Sequence, residues 1–179
     1  MDNMYFVAVV LPKELDEKVL VHKKYMQERY GCKVGLKSPA HITLVAPFWM
    51  SSDREEELKN DLEAVLSNVV PFNVSTNGFS AFKPRTLFVA TKENEKLNEL
   101  KHKTYSFFQT KNYRMKKENR PFHPHITVAT RDLHKAAFAE AWPRFENKNF
   151  HEEFEAKGLA LLKHNGRCWD VIFTAQFNR

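Results

Sequence analysis

The sequence predicts an α+β protein built from two copies of a β-α-β-α-β unit, set as two lobes about a shared cleft and related by a pseudo-two-fold. Three observations predict it. Short β-branched or aromatic runs alternate with helical stretches along the whole chain, and the alternation begins again near residue 83. One short motif, a histidine and a threonine two positions apart in an apolar strand, occurs once in each half, at His41/Thr43 and His125/Thr127. The two histidines are 84 residues apart and the glycines of the later strands, Gly78 and Gly158, are 80 apart. That period is too long, and two copies too few, for a solenoid. The 179 residues are therefore assigned to a single domain, with lobes drawn from repeats of about 1–82 and 83–179.

In the first copy, "MYFVAVVLP" is a buried strand stopped by Pro12. The stretch after it carries Leu15, Val19, Met26 and Tyr30 on one helical stripe that ends near Gly31. "HITLVAPF" is the motif strand. In "SSDREEELKNDLEAVLSNVV", Ser52 and Glu55 have capping-box spacing, and Leu58, Leu62, Val65 and Val69 face inward. "FNVSTNGFSAF" closes the copy as a strand, and "KPRT" turns the chain.

The second copy follows the same order: "TLFVAT" as strand, "LNELKHKTYSFFQTK" as helix, the His125 strand, and "DLHKAAFAEAW" as helix, with Asp132 as N-cap and Pro143 as terminator. "FEAKGLALLK" and "RCWDVIFTAQF" read as two strands joined through His164-Asn165-Gly166, since Asn-Gly is a strong hairpin signal.

Composition narrows the class. The chain is 42% hydrophobic with only 5 glycines, which excludes a low-complexity or disordered segment. A formal charge of +6 and a pI near 9.3 suit an anionic ligand. The apolar run at the start is about eight residues, far short of the roughly 20 needed to span a membrane, and no basic region precedes it. Cys32 and Cys168 lack metal-ligand spacing, so a reduced, cytoplasmic protein without a disulfide is expected.

The motif has a physical reading. Residues i and i+2 of a strand share a face, so Ile42 and Leu44 bury while His41 and Thr43 turn away together; His125 and Thr127 do the same as Ile126 and Val128 pack. Chance would place roughly 0.4 His-x-Thr steps in a chain with this many histidines and threonines. Two copies at matching points of a repeat mean more. Imidazole titrates near pH 6.5, so one ring can accept a proton while the other donates one. The threonine hydroxyls can hydrogen-bond the oxygens of a phosphate held between them. The pattern suits phosphodiester hydrolysis without a metal or other cofactor.

At "HITL" and "HITV" the sequence resembles the two-histidine (2H) phosphoesterase superfamily, whose members carry two such motifs on a bilobal fold. The resemblance extends through the repeat order to nearly the whole chain. It implies antiparallel sheets lining a central cleft with helices outside, His41 and His125 as the catalytic pair, and Thr43 and Thr127 as phosphate ligands. It also implies a substrate among 2′,3′-cyclic phosphates, RNA ends and related nucleotide phosphodiesters. In the RNA cyclic phosphodiesterase branch the second motif continues to an arginine; here Thr130 stands at that position and Arg131 lies one later.

Arg131 shares the parity of His125 and Thr127, so an extended strand would bring its guanidinium to the phosphate. Lys83 and Arg85 resemble the basic segment that precedes the corresponding strand in the family. Phe48 and Phe122 flank the motif strands and are candidates to stack on a base. His123, in "HPH", reads as a polar neighbour of the pair rather than a metal ligand, because no carboxylate or cysteine completes a ligand set. The histidines at 22, 102, 134, 151 and 164 read as solvated. The repeat closes its own cleft, so a monomer without an obligate protein partner is expected. Two alternatives use the same residues: a module that binds a nucleotide or RNA end without turnover, and a 2′-5′ RNA ligase acting in the joining direction.

Overall fold

The computed structural model describes residues 1–178. Its elements, in chain order, are β1 (Asp2–Val10), α1 (Lys13–Tyr30), a 3-10 turn (Val34–Lys37), β2 (His41–Ser51), α2 (Glu55–Val65), β3 (Phe72–Phe82), β4 (Thr86–Thr91), α3 (Glu95–Gln109), β5 (His125–Ala129), α4 (Lys135–Phe145), β6 (Glu153–Ala156), β7 (Gly158–His164) and β8 (Trp169–Gln176). The strands form one antiparallel eight-stranded array in the order β6-β3-β4-β5-β2-β1-β7-β8.

The motif strands β5 and β2 are central neighbours. β3, which closes the first sequence repeat, pairs with β4 of the second, and β7 of the second repeat pairs with β1 of the first. The spatial halves of the sheet therefore differ from the sequence halves 1–82 and 83–179: β3 of the first repeat completes one half, and β7 with β8 of the second completes the other. The crossover helices follow the same exchange. α1, which links β1 to β2, packs behind β5, and α3, which links β4 to β5, packs behind β2.

Ile42, Leu44, Ile126 and Val128 are buried in the core between strands and helices, joined by Leu15, Val19 and Met26 of α1 and by Leu97, Leu100 and Phe108 of α3. Each such side chain contributes about 1.5–3 kcal/mol by leaving water. A slip of either motif strand by one residue would exchange these apolar groups for a histidine and a threonine, so core packing fixes which residues face the cleft. Gly31, at φ 72°, ends α1 as expected, its N–H bonding the carbonyl of Gln27.

Several local expectations fail, each for a visible reason. "FEAKGLALLK" is two strands, because Lys157 lies between β6 on β3 and β7 on β1, at opposite ends of the array. Pro143 lies inside α4, which continues to the fully buried Phe145; that ring packs on Phe79 at 5.0 Å and Tyr25 at 5.9 Å and retains the last turn. Ser52 opens a short 3-10 turn and does not cap α2. Asp132 does not cap α4; its Oδ2 instead accepts from Lys33 N (2.6 Å) and Val34 N (3.0 Å), across nearly 100 residues of sequence.

Candidate active site

β2 and β5 meet in register at Ile42 opposite Ile126. In an antiparallel pair this sets Thr43 opposite His125 and His41 opposite Thr127, on the face opposite the core, with Cα atoms about 4.5–5.5 Å apart. Each histidine is thus beside the threonine of the other motif. All four side chains are half-buried.

The two imidazoles are held alike. His41 Nδ1 donates to the carbonyl of Pro39 and His125 Nδ1 to that of His123, both at 2.7 Å. A carbonyl only accepts, so Nδ1 carries the proton in the neutral ring and Nε2 is left with a free lone pair. Phe6 of β1 lies 4.9 Å from the His41 ring, and Phe88 of β4 lies 5.1 Å from that of His125. Burial lowers the pKa of His41 to about 4, with further lowering from the Lys23 ammonium and from His125. Burial also lowers that of His125, assisted by His123. Both rings are therefore neutral near pH 7.

The segment before His41 is fixed from α1. Asp16 Oδ1 accepts from Ala40 N at 2.7 Å, and Lys23 Nζ donates to Ser38 O at 3.0 Å. Lys23 is 3% exposed, and burial lowers its pKa to about 8. On the other side, Lys101 Nζ donates to Leu44 O (2.6 Å) and to both oxygens of Glu118 (2.7 and 2.6 Å), tying the loop before β5 to β2.

The cleft opens into two hollows. The one beside His125, about 780 Å³, is lined mainly by apolar groups, among them Ala46, Phe82, Pro121 and Phe122, with Thr43, His123 and the Lys101–Glu118 pair. The one beside His41, about 430 Å³, includes Thr43, Thr127, Lys37, Thr130, Arg131 and Trp169.

These walls sort the sequence candidates. Phe122 and His123 line the His125 hollow, and the His123 carbonyl sets the tautomer of His125. Arg131 reaches the His41 hollow, but not by extension of the strand: β5 stops at Ala129 and Arg131 is left-handed at φ 52°. Lys83 sits 5.4 Å over the Trp142 ring, and neither it nor Arg85 lines a hollow. Phe48 is 1% exposed, packed against Tyr5 and Tyr113 at 6.3 and 5.8 Å, so it is a core residue and not a base platform. Phe48 has the even parity of Ile42 and Leu44, so alternation along β2 already places it on the core side; the two one-residue register shifts with β1, between Tyr5 and Ala8, cancel in parity.

Two histidines read as solvated are not. His22 is enclosed by Phe79, Phe145 and Phe150, with ring centroids 4.9–5.8 Å away, and His164 lines the His41 hollow beside Trp169. Lys37, Phe82, His164 and Trp169 lacked a motif; the Asn-Gly hairpin signal at 165–166 was the one cue that His164 and Trp169 would stand opposite each other. Among the described residues no group of three His, Cys, Asp or Glu side chains is placed to hold a metal ion, and no helix is long and apolar enough to cross a membrane.

This fold, with a pair of His-x-Thr strands meeting at its centre, defines a two-histidine phosphoesterase class. The chain belongs to the 2′-5′ RNA ligase superfamily, whose sequence profile matches residues 13–167. It is 24% identical over 178 residues to a putative phosphoesterase of Oceanobacillus iheyensis, covering 98% of each chain. It is also 24% identical over 171 residues to the RNA 2′,3′-cyclic phosphodiesterase of Bacillus subtilis, covering 88% of this chain and 82% of that one. Among solved structures, a Thermus thermophilus protein superposes with a TM-score of 0.71 at 20% identity, covering 98% of this chain and 100% of that one. LigT of E. coli, solved with 3′-AMP, superposes at 0.69 with 17% identity over the whole of both chains.

Proposed function

We propose that the protein is a metal-independent phosphoesterase that opens a 2′,3′-cyclic phosphate, or a related nucleotide or RNA phosphodiester, by general acid-base catalysis from His41 and His125. The observation that carries this reading is the symmetric hydrogen bonding of the two rings, which leaves each Nε2 free beside the threonine of the other motif. The Bacillus subtilis relative's description as an RNA 2′,3′-cyclic phosphodiesterase and the binding of 3′-AMP by LigT support the substrate class.

A phosphodiester anion between the rings favours a proton on one of them, offsetting the burial that otherwise disfavours the charged form. The neutral ring takes a proton from water through Nε2 as the water oxygen bonds to phosphorus. The bond from phosphorus to the ribose oxygen breaks, and the imidazolium gives that oxygen its proton. The products are a phosphomonoester and a free hydroxyl. Thr43 and Thr127 donate to the non-bridging oxygens, where charge gathers in the transition state.

The test is turnover of a 2′,3′-cyclic mononucleotide and of an RNA ending in a cyclic phosphate, in EDTA, by the wild type and by His41→Ala and His125→Ala. Activity in chelator that either substitution abolishes is the expected result. Complete loss in chelator overturns the metal-free mechanism, and nucleotide binding without turnover of any phosphodiester makes the protein a binding module.

A further inference from the structure

We propose that the hollow beside His41 is a second anion subsite, which holds a phosphate one position removed from the one that reacts. This rests on reading the cleft as a phosphoester site and deepens it: the preferred ligand carries two phosphate groups, the second being a 5′-phosphate or the next phosphodiester of an RNA chain.

The two hollows differ in how much uncompensated positive charge lines them. Around His41 the polar side chains beyond the motif residues are Lys37, Ser38, Thr130, Arg131 and His164, and no aspartate or glutamate is among them. Neither Lys37 nor Arg131 takes part in any ion pair among the described residues. Two uncompensated cations on one concavity favour an anion there. Around His125 the buried cation Lys101 is already neutralised by Glu118, which leaves Arg120 as a single uncompensated cation, and Phe82, Phe122 and Pro121 offer apolar surface suited to a base.

His164 adds a donor of fixed sense. Its Nδ1 accepts from the Gly166 N–H at 3.2 Å, so the proton of the neutral ring is on Nε2, the reverse of His41 and His125. The edge-on packing of His164 with Trp169 (4.9 Å) and of Trp169 with Phe6 (4.7 Å) holds this wall against the His41 ring.

The opposite rim is equally fixed. Asp132 binds the Lys33 and Val34 amides, and Gly35 lies so close to β5 that a Cβ there would come 2.3 Å from the Val128 carbonyl oxygen. Lys37 is thereby tied to the segment that presents Arg131 in its left-handed conformation, which a residue with a Cβ rarely adopts without tertiary support.

The experiment measures binding rather than turnover, so its outcome is separable from that of the catalytic test. Dissociation constants are determined by calorimetry for adenosine 3′-monophosphate, adenosine 3′,5′-bisphosphate and the 3′-phosphorylated dinucleotide ApAp, with the wild type, Lys37→Met and Arg131→Met. The wild type should bind the bisphosphate or ApAp about tenfold more tightly than the monophosphate, the magnitude of one or two charge-assisted hydrogen bonds. Each substitution should remove most of that ratio. A gain for ApAp identifies an internucleotide phosphate as the occupant, and a gain for the bisphosphate alone identifies a terminal one. A wild-type ratio near one, or a ratio that survives both substitutions, overturns the proposal.

Discussion

Ile42 faces Ile126 across the join between β2 and β5, and this single contact of two core residues decides which polar groups meet on the other side of the sheet. It crosses the motifs, setting His41 with Thr127 and His125 with Thr43.

The crossed arrangement is testable by double-mutant cycles. Replacing either histidine by alanine should lower kcat by about 10² to 10⁴-fold, and either Thr→Val about tenfold or more. Thr43→Val should couple to His125→Ala and Thr127→Val to His41→Ala, with weaker coupling within each motif. Equal coupling in all four pairings would refute the crossed geometry.

Lys23 provides a test of how the His41 pKa is set. Its charge acts with burial to lower that value, so Lys23→Met should raise it and move the acid limb of the pH dependence of kcat/KM toward neutrality. The substitution also releases the Ser38 carbonyl, so a fall in kcat should accompany the shift. An unmoved acid limb would mean that another group controls it.

Acid should also weaken the fold, through two rings. His22 and His41 are both lowered to about 4 by burial, His22 further by Lys148 and Arg144. Between pH 6.5 and 4 the unfolded chain binds more protons at these sites than the folded one. Their contribution is therefore fully present above pH 6.5 and is lost as pH falls toward 4, to the extent of about 1.4 kcal/mol per unit for His41 and less for the half-buried His22, whose charge solvent screens. Urea midpoints at pH 7.5 and pH 5 should show it. His22→Phe, which keeps an aromatic ring among Phe79, Phe145 and Phe150, should flatten the difference.

Phe48→Ala should lower stability by about 3–5 kcal/mol, as expected of a buried ring between Tyr5 and Tyr113. The KM of the protein that remains folded should be unchanged. A selective rise in KM with unchanged unfolding would return Phe48 to the substrate.

The paired motif and the restart of the element order were legible because strand parity and helical periodicity are local properties, and His41, Thr43, His125 and Thr127 follow from parity alone. What parity could not give was where parity ends. Phe48 shares the parity of Ile42 and Leu44, which already places it in the core, whereas the left-handed turn at Arg131 replaces a continued strand. Nor does a local pattern announce long-range partners: Asp132 looked like the cap of the next helix, yet it binds amides of a turn nearly 100 residues earlier. His164 and Trp169 reach the cleft because β7 crosses to β1, a pairing without a signature in either strand.

That crossing has a consequence for the chain divided at the turn between β3 and β4. Each fragment would carry strands its counterpart needs, β3 in the first and β7 with β8 in the second, so neither should be stable alone, while the two mixed should reassemble the cleft. By the same logic, a half-length ancestor would have found its missing strand only in a second molecule, and the fusion of two copies would have turned an exchanged dimer into a single chain.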